Sequence, residues 1–111
     1  MEGQREDVQD TCVRFHAAIE LIGPRWTGAI LRAVLTGQHR YGQIKAAVPG
    51  VSDTMLSQRL KTLEEEGVLE RQVIATSPVQ VEYHATAKGR DLEPVLDAVR
   101  SWSHKWIQLP S

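Results

Sequence analysis

The stretch Tyr41-Gly42-Gln43-Ile44-Lys45-Ala46-Ala47-Val48-Pro49-Gly50-Val51-Ser52, running into Asp53–Glu66, decides the fold. It reads as a short helix, a tight turn and a second helix. Pro49 cannot continue the first helix, and Gly50 gives the backbone freedom to turn. Ser52 is a good N-cap, because its hydroxyl can accept an otherwise unpaired backbone N–H of the helix that follows. Gly67 stands where a glycine just past a helix end is expected.

The second helix has two faces. Leu56, Leu60 and Leu63 repeat at i, i+4, i+7 and form an apolar stripe that requires a core. Opposite them lie Thr54, Ser57, Gln58, Lys61 and Thr62, hydrogen-bonding side chains that are uncharged or basic. A helix of about 15 residues is about 22 Å long, enough to lie in a DNA major groove. The same pattern suits an ordinary surface helix, so the rest of the chain has to decide.

Charge is distributed unevenly. The 111 residues carry a net charge of −1, which argues against a general nucleic-acid coat protein. Residues 1–20 set Arg5 and Arg14 against Glu2, Glu6, Asp7, Asp10 and Glu20. Residues 21–63 set Arg25, Arg32, Arg40, Lys45, Arg59 and Lys61 against Asp53 alone. The basic excess therefore falls on the helix-turn-helix segment, where phosphate contacts would be needed. The length suits one domain over residues 1–111, with residues 1–7 polar and expected to fray. One cysteine, Cys12, excludes an internal disulfide framework. No apolar run is long enough to span a membrane and the acidic start is no signal peptide, so a reducing cytoplasm is the expected address.

Outward from the central stretch, Val8, Cys12, Phe15, Ile19 and Ile22 step by 4, 3, 4 and 3 residues, an apolar seam of the kind helices use to pair. Gly23 breaks that helix and Pro24 suits the start of the next, about Pro24 to Leu35, which buries Trp26, Ile30, Leu31 and Val34. His39-Arg40-Tyr41 fits one short strand. Beyond Gly67, residues 68–74 and 79–84 are rich in β-branched residues and partly alternate, with Ala75-Thr76-Ser77-Pro78 as the turn of a hairpin. A hairpin directly after such a helix forms the wing of a winged helix-turn-helix. Thr86 caps a last helix to about Trp106, in which Pro94 marks a kink or a new start. Leu92, Val95, Leu96, Val99, Trp102 and Trp106 share one face of it. The fold class is thus mainly α with a small β-hairpin. The terminal stripes exceed what so small a core absorbs, and point to a two-fold dimer through Val8, Phe15, Ile19, Val99, Trp102 and Trp106.

Many spaced residues agree, in order, with one family. They include Cys12, Ile22-Gly23-Pro24-Arg25-Trp26-Thr27, Arg40-Tyr41, Val51-Ser52, Met55-Leu56, Leu60-Lys61, Gly67, Val81-Glu82-Tyr83, Thr86, Gly89 and Leu92-Glu93-Pro94. Over about residues 12–106 the chain resembles HxlR-type transcriptional regulators, small winged-helix proteins of MarR-like architecture. The resemblance implies a homodimer that sets Ser52–Glu66 in a major groove, with the hairpin near a flanking minor groove, on a pseudo-palindromic operator. The chain departs from the family pattern in places. Val13 follows Cys12 where proline is usual, Thr54 replaces a common lysine, and Pro78-Val79-Gln80 lacks the basic wing tip.

On this reading Thr54, Ser57 and Gln58 are base readers, with Gln58 able to make a bidentate contact to adenine. Ser52, which opens the helix, is counted with them among the DNA-binding residues. Lys61, Arg40 and Lys45 are phosphate partners, Arg59 a weaker one, and Arg71 and Gln80 serve the wing. Cys12 carries two readings. The resemblance implies a sensor of quinones, aldehydes or oxidants, made reactive by a helix N-terminus. Its place on the apolar seam implies a buried, inert thiol. His16, His39, His84 and His104 are dispersed without ligand spacing, and no catalytic or nucleotide-binding motif is present, so no enzyme, metal or cofactor is expected. Two alternatives stand beside the cysteine switch. One is control by a small ligand bound near the dimer helices, close to Phe15, Trp26 and Trp102; the other is an association module that binds no DNA. Repression is the expected mode, since a small dimer blocks a promoter more readily than it recruits polymerase.

Overall fold

The computed structural model describes residues 2–110, with side chains from residue 9 onward. Residue 1 and the side chains of residues 2–8, Val8 among them, lie outside the described residues; the backbone of residues 2–7, expected to fray, is helical. The element order is α1 (Glu2–Ile22), α2 (Thr27–Leu35), α3 (Tyr41–Ala47), α4 (Asp53–Glu65), β1 (Leu69–Ile74), β2 (Gln80–Ala85), α5 (Ala87–Arg90) and α6 (Glu93–Trp106). This is the winged helix-turn-helix expected from the sequence, with an additional helix at each end.

The core forms where the apolar faces of α2, α3 and α4 meet the start of the hairpin. Ile30, Leu31, Ile44, Leu56, Leu60, Leu63 and Val68 are all essentially inaccessible. Each such aliphatic side chain contributes about 1.5–3 kcal/mol on leaving water. The turn between α3 and α4 is closed by Gly50 at φ 93°, and α4 ends on Gly67 at φ 73°. Both are backbone conformations that side-chain-bearing residues rarely adopt.

The hairpin is antiparallel, pairing Leu69 with Ala85 at its base and Ile74 with Gln80 at its tip. The short strand expected at residues 39–41 shrinks to one bridge between Arg40 and Glu82, with the Tyr83 N–H donating to the His39 carbonyl at 2.8 Å. That bridge ties the wing to the entry of α3. Thr86 fixes the exit: its hydroxyl donates to the Gly67 carbonyl at 2.6 Å and accepts from the Gly89 N–H at 3.2 Å. The last helix is broken, and Pro94 falls in the first turn of α6, so it marks a new start and not a kink.

Two boundaries differ from the sequence reading. α2 begins at Thr27 and not Pro24, because Trp26 adopts φ 81° and interrupts the helical path. Its ring, only partly buried, lies against Gly50, where an added Cβ would sit 3.3 Å from the indole. α1 reaches back to Glu2 and packs on the core through Leu21 near its end.

Candidate nucleic-acid interface

The entry of α4 is built by α3. Ser52 accepts the Met55 N–H at 3.1 Å, the cap expected from the sequence. Asp53 follows in the first turn, where a carboxylate suits the positive end of the helix dipole. Lys45 donates to Asp53 Oδ1 at 2.7 Å, and the Tyr41 hydroxyl lies 3.0 Å from the same oxygen. The Lys45 hydrogen bond, then that of Tyr41, hold the Asp53 carboxyl below the usual carboxylate range. Asp53 in turn raises the pKa of Lys45. Lys45 therefore reaches a phosphate only by sharing or leaving Asp53. Gln43 completes the entry, its side-chain oxygen accepting the Arg40 and His39 backbone N–H groups at 3.2 and 3.3 Å.

Along α4 the three leucines point inward, while Thr54, Ser57, Gln58, Lys61 and Thr62 are exposed on a continuous outer face. Lys61 makes no salt bridge among the described residues and is the cation of this face best placed to meet a phosphate. Arg59 differs. It is partly buried, and its Nε donates to the Arg25 carbonyl at 3.0 Å, bracing the link between α1 and α2. Arg32, part of the basic excess, faces α6 and pairs with Asp97 at 3.2 Å.

The wing base holds a cluster that sequence reasoning missed. His39 and His84, 45 residues apart in the chain, stack with ring centroids 4.0 Å apart. His39 Nδ1 lies 3.0 Å from the Tyr83 carbonyl, and His84 Nε2 lies 2.8 Å from Glu82 Oε1. Arg40 stands 3.9 Å from the other Glu82 oxygen. The His84 hydrogen bond, with the nearby Arg40 charge, keeps the Glu82 carboxyl below its usual value. The only advance signal was strand periodicity at residues 39–41, which places His39 beside β2. Arg71 is exposed in mid-strand opposite Tyr83, and Gln80 is half-buried at the tip opposite Ile74. Between them Val73 and Val79 are exposed beside Thr76 and Ser77, so the wing tip is uncharged.

The terminal helices carry unpartnered apolar groups. Phe15 is 62% exposed and Ile19 47% on α1; Val99, Trp102 and Trp106 are 59%, 60% and 64% exposed on α6. Leu92 and Leu96 of the same α6 stripe instead pack on the core. Cys12 is an exposed free thiol. It sits ten residues into α1, so the expected helix N-terminus beside it is absent; the field of a helix end is felt only in its first turn. The protomer itself does not bury it as an inert core thiol either. A groove of about 250 Å³ runs between α2 and α6 past Gly28, Leu96 and Val99, without Phe15, Trp26 or Trp102 on its walls.

No helix among the described residues is long and apolar enough to cross a membrane. The pattern of the family described as HxlR-like helix-turn-helix matches residues 21–110. The chain is 42% identical over 98 residues to the HTH-type transcriptional regulator YvaP of Bacillus subtilis, covering 88% of this chain and 91% of that protein. The reduced form of the transcriptional regulator YodB from B. subtilis superposes with a TM-score of 0.75 at 34% identity, covering 88% of this chain and 96% of that one. YodB has also been solved after diamide treatment. The oxidised form of the redox regulator HypR superposes with a TM-score of 0.81 at 27% identity, covering 86% and 99% of the two chains. YvaP and YodB are regulators of transcription, and HypR is a redox regulator. With its helix-turn-helix, wing and flanking helices in place, the chain belongs to the HxlR-like helix-turn-helix family of transcriptional regulators.

Proposed function

We propose that the chain is a homodimeric repressor that reads a pseudo-palindromic operator. The observation that carries this reading is the outer face of α4, where Thr54, Ser57 and Gln58 stand exposed beside Lys61 on a helix held rigid by three buried leucines. Short polar side chains on a fixed helix suit base edges, and a flanking cation suits phosphate. Thr54, Ser57 and Gln58 read bases, and Lys61 and Arg40 hold the backbone. Lys45 joins them when DNA draws it from Asp53. Arg59 contributes little, since its Nε braces the Arg25 carbonyl. Arg71 and Gln80 belong to a wing whose uncharged tip makes only weak electrostatic contact.

The second protomer covers the exposed stripes of α1 and α6, Phe15, Ile19, Val99, Trp102 and Trp106 among them. Two copies of α4 then face the same side of the duplex, and the bound dimer occludes promoter DNA.

Cys12 is the proposed signal input, supported by its exposure and by the likeness to HypR and to YodB, solved in reduced and diamide-treated forms. An electron-poor quinone would add the thiol. A disulfide-forming oxidant such as diamide would take up two electrons and two protons from two Cys12 thiols, one per protomer, leaving a disulfide between the subunits.

Fluorescence anisotropy on the duplex immediately upstream of the gene tests both parts, at fixed salt against a scrambled duplex. Selective binding by reduced protein, lost on quinone or diamide treatment and retained by treated Cys12→Ser, supports the whole reading. Selective binding indifferent to treatment moves the signal from Cys12 to a bound ligand.

A further inference from the structure

Tyr41 belongs to α3, yet its hydroxyl reaches the outer face of α4. It lies 3.0 Å from Asp53 Oδ1, 3.2 Å from the Asp53 carbonyl and 3.4 Å from Ser57 Oγ. A phenol has one proton to donate and lone pairs with which to accept. Asp53 Oδ1 is a charged acceptor, and a charged acceptor competes for a proton better than a neutral hydroxyl does. The carboxylate stays ionised because Lys45 is hydrogen-bonded to it at 2.7 Å. The Tyr41 proton therefore goes to Asp53. What Tyr41 offers Ser57 is a lone pair, so the Ser57 proton turns back towards α3. The outward side of Ser57 Oγ is then left with lone pairs alone.

We infer that Tyr41, held by the Lys45–Asp53 pair, fixes Ser57 as a hydrogen-bond acceptor towards DNA and so makes it select an amino base over a keto base. This rests on the reading of α4 as the helix that enters the major groove. There adenine presents its N6 amino group and cytosine its N4 amino group as donors, whereas guanine O6 and thymine O4 only accept. A free serine hydroxyl rotates to suit either kind and carries little information. A serine with its proton already engaged does not. The 3.4 Å separation is long for an O–H···O bond, so the bias is partial. A net hydrogen bond made in one case and lost in the other corresponds to about a threefold to tenfold preference. Tyr41 is thus a positioning residue, acting through Ser57.

The test is a base-by-base profile. An operator selected by the protein from random duplexes is varied through all four bases at each position, and affinities are compared by competition anisotropy at one salt concentration. Ser57→Ala locates the contact as the position whose preference flattens. At that position the parent protein is expected to favour adenine or cytosine on the contacted strand by about threefold to tenfold. Tyr41→Phe keeps the ring that packs on the core and removes the hydroxyl; it is expected to bring the preference to within about twofold while other positions keep theirs. A uniform loss of affinity in Tyr41→Phe, with the amino preference intact, overturns the inference and leaves the regulator reading standing. So does a parent preference for guanine or thymine, or no position flattened by Ser57→Ala. A parent protein that selects no sequence overturns the inference and the regulator reading together.

Discussion

Replacing Trp102 by alanine should weaken the proposed dimer without unfolding the protomer. Trp102 lies on the outer stripe of α6 and is 60% exposed in the protomer. A tryptophan presents about 200 Å² when fully exposed, so about 120 Å² of this indole awaits a partner. At about 25 cal/mol per Å², covering it contributes about 3 kcal/mol as an upper bound. Ordering and imperfect packing at interfaces reduce this, and about 1.5 kcal/mol per side chain is a reasonable net figure. A two-fold interface contains the residue twice, so the substitution acts at about 3 kcal/mol per dimer. At 1.4 kcal/mol per factor of ten, the dissociation constant should rise by about 150-fold. Sedimentation equilibrium over a concentration series measures it, and thermal unfolding at high concentration checks that the protomer still folds. A dissociation constant within about tenfold of the parent would show that α6 does not form the dimer contact.

Gln58→Ala should lower affinity for the operator by about 1–3 kcal/mol while leaving affinity for a scrambled duplex nearly unchanged; equal losses on both would remove Gln58 as a base reader. Asp53 has a depressed carboxyl pKa, so its contribution to stability is present above the usual carboxylate range and fades as acid protonates it. The difference in urea midpoint between parent and Asp53→Asn should accordingly shrink between about pH 6 and about pH 3; a difference independent of pH would mean the Lys45 pair adds nothing. Gly89→Ala should destabilise by about 2–3 kcal/mol, because its Cβ would meet the Val68 carbonyl at the junction of hairpin and α5. A melting temperature lowered by less than about 5 °C would show that this junction yields.

The parts of this fold legible in advance were those set by local chemistry. Pro49, Gly50 and Ser52 mark a turn and a cap within four residues, and the leucine stripe of α4 follows from helical period alone. The hairpin was visible as two β-rich segments either side of a turn, whereas the Arg40 bridge was foreshadowed only by a short strand at residues 39–41, which proved too long. What escaped depends on contacts between distant residues. Trp26 leaves the helical path in company with a ring contact to Gly50, so no feature of residues 24–27 alone places the start of α2 at Thr27. The His39–His84 stack exists only once β2 is bridged to the entry of α3. At the candidate interface, the residue types of α4 are readable, but their engagements within the protomer are not: helical period specifies neither the Arg59 Nε contact to the Arg25 carbonyl nor the pairing of Lys45 with Asp53. Cys12 shows the same limit, since its exposure depends on how little of α1 packs on the core.

Selection from a random duplex pool tests most directly whether two copies of α4 read DNA together. Sequencing the bound fraction should return an inverted repeat whose half-sites are centred about one helical turn, roughly 10 base pairs, apart. The repeat should be lost when Gln58 and Lys61 are both replaced by alanine. An unenriched pool, or a single half-site without its inverted copy, would contradict the account.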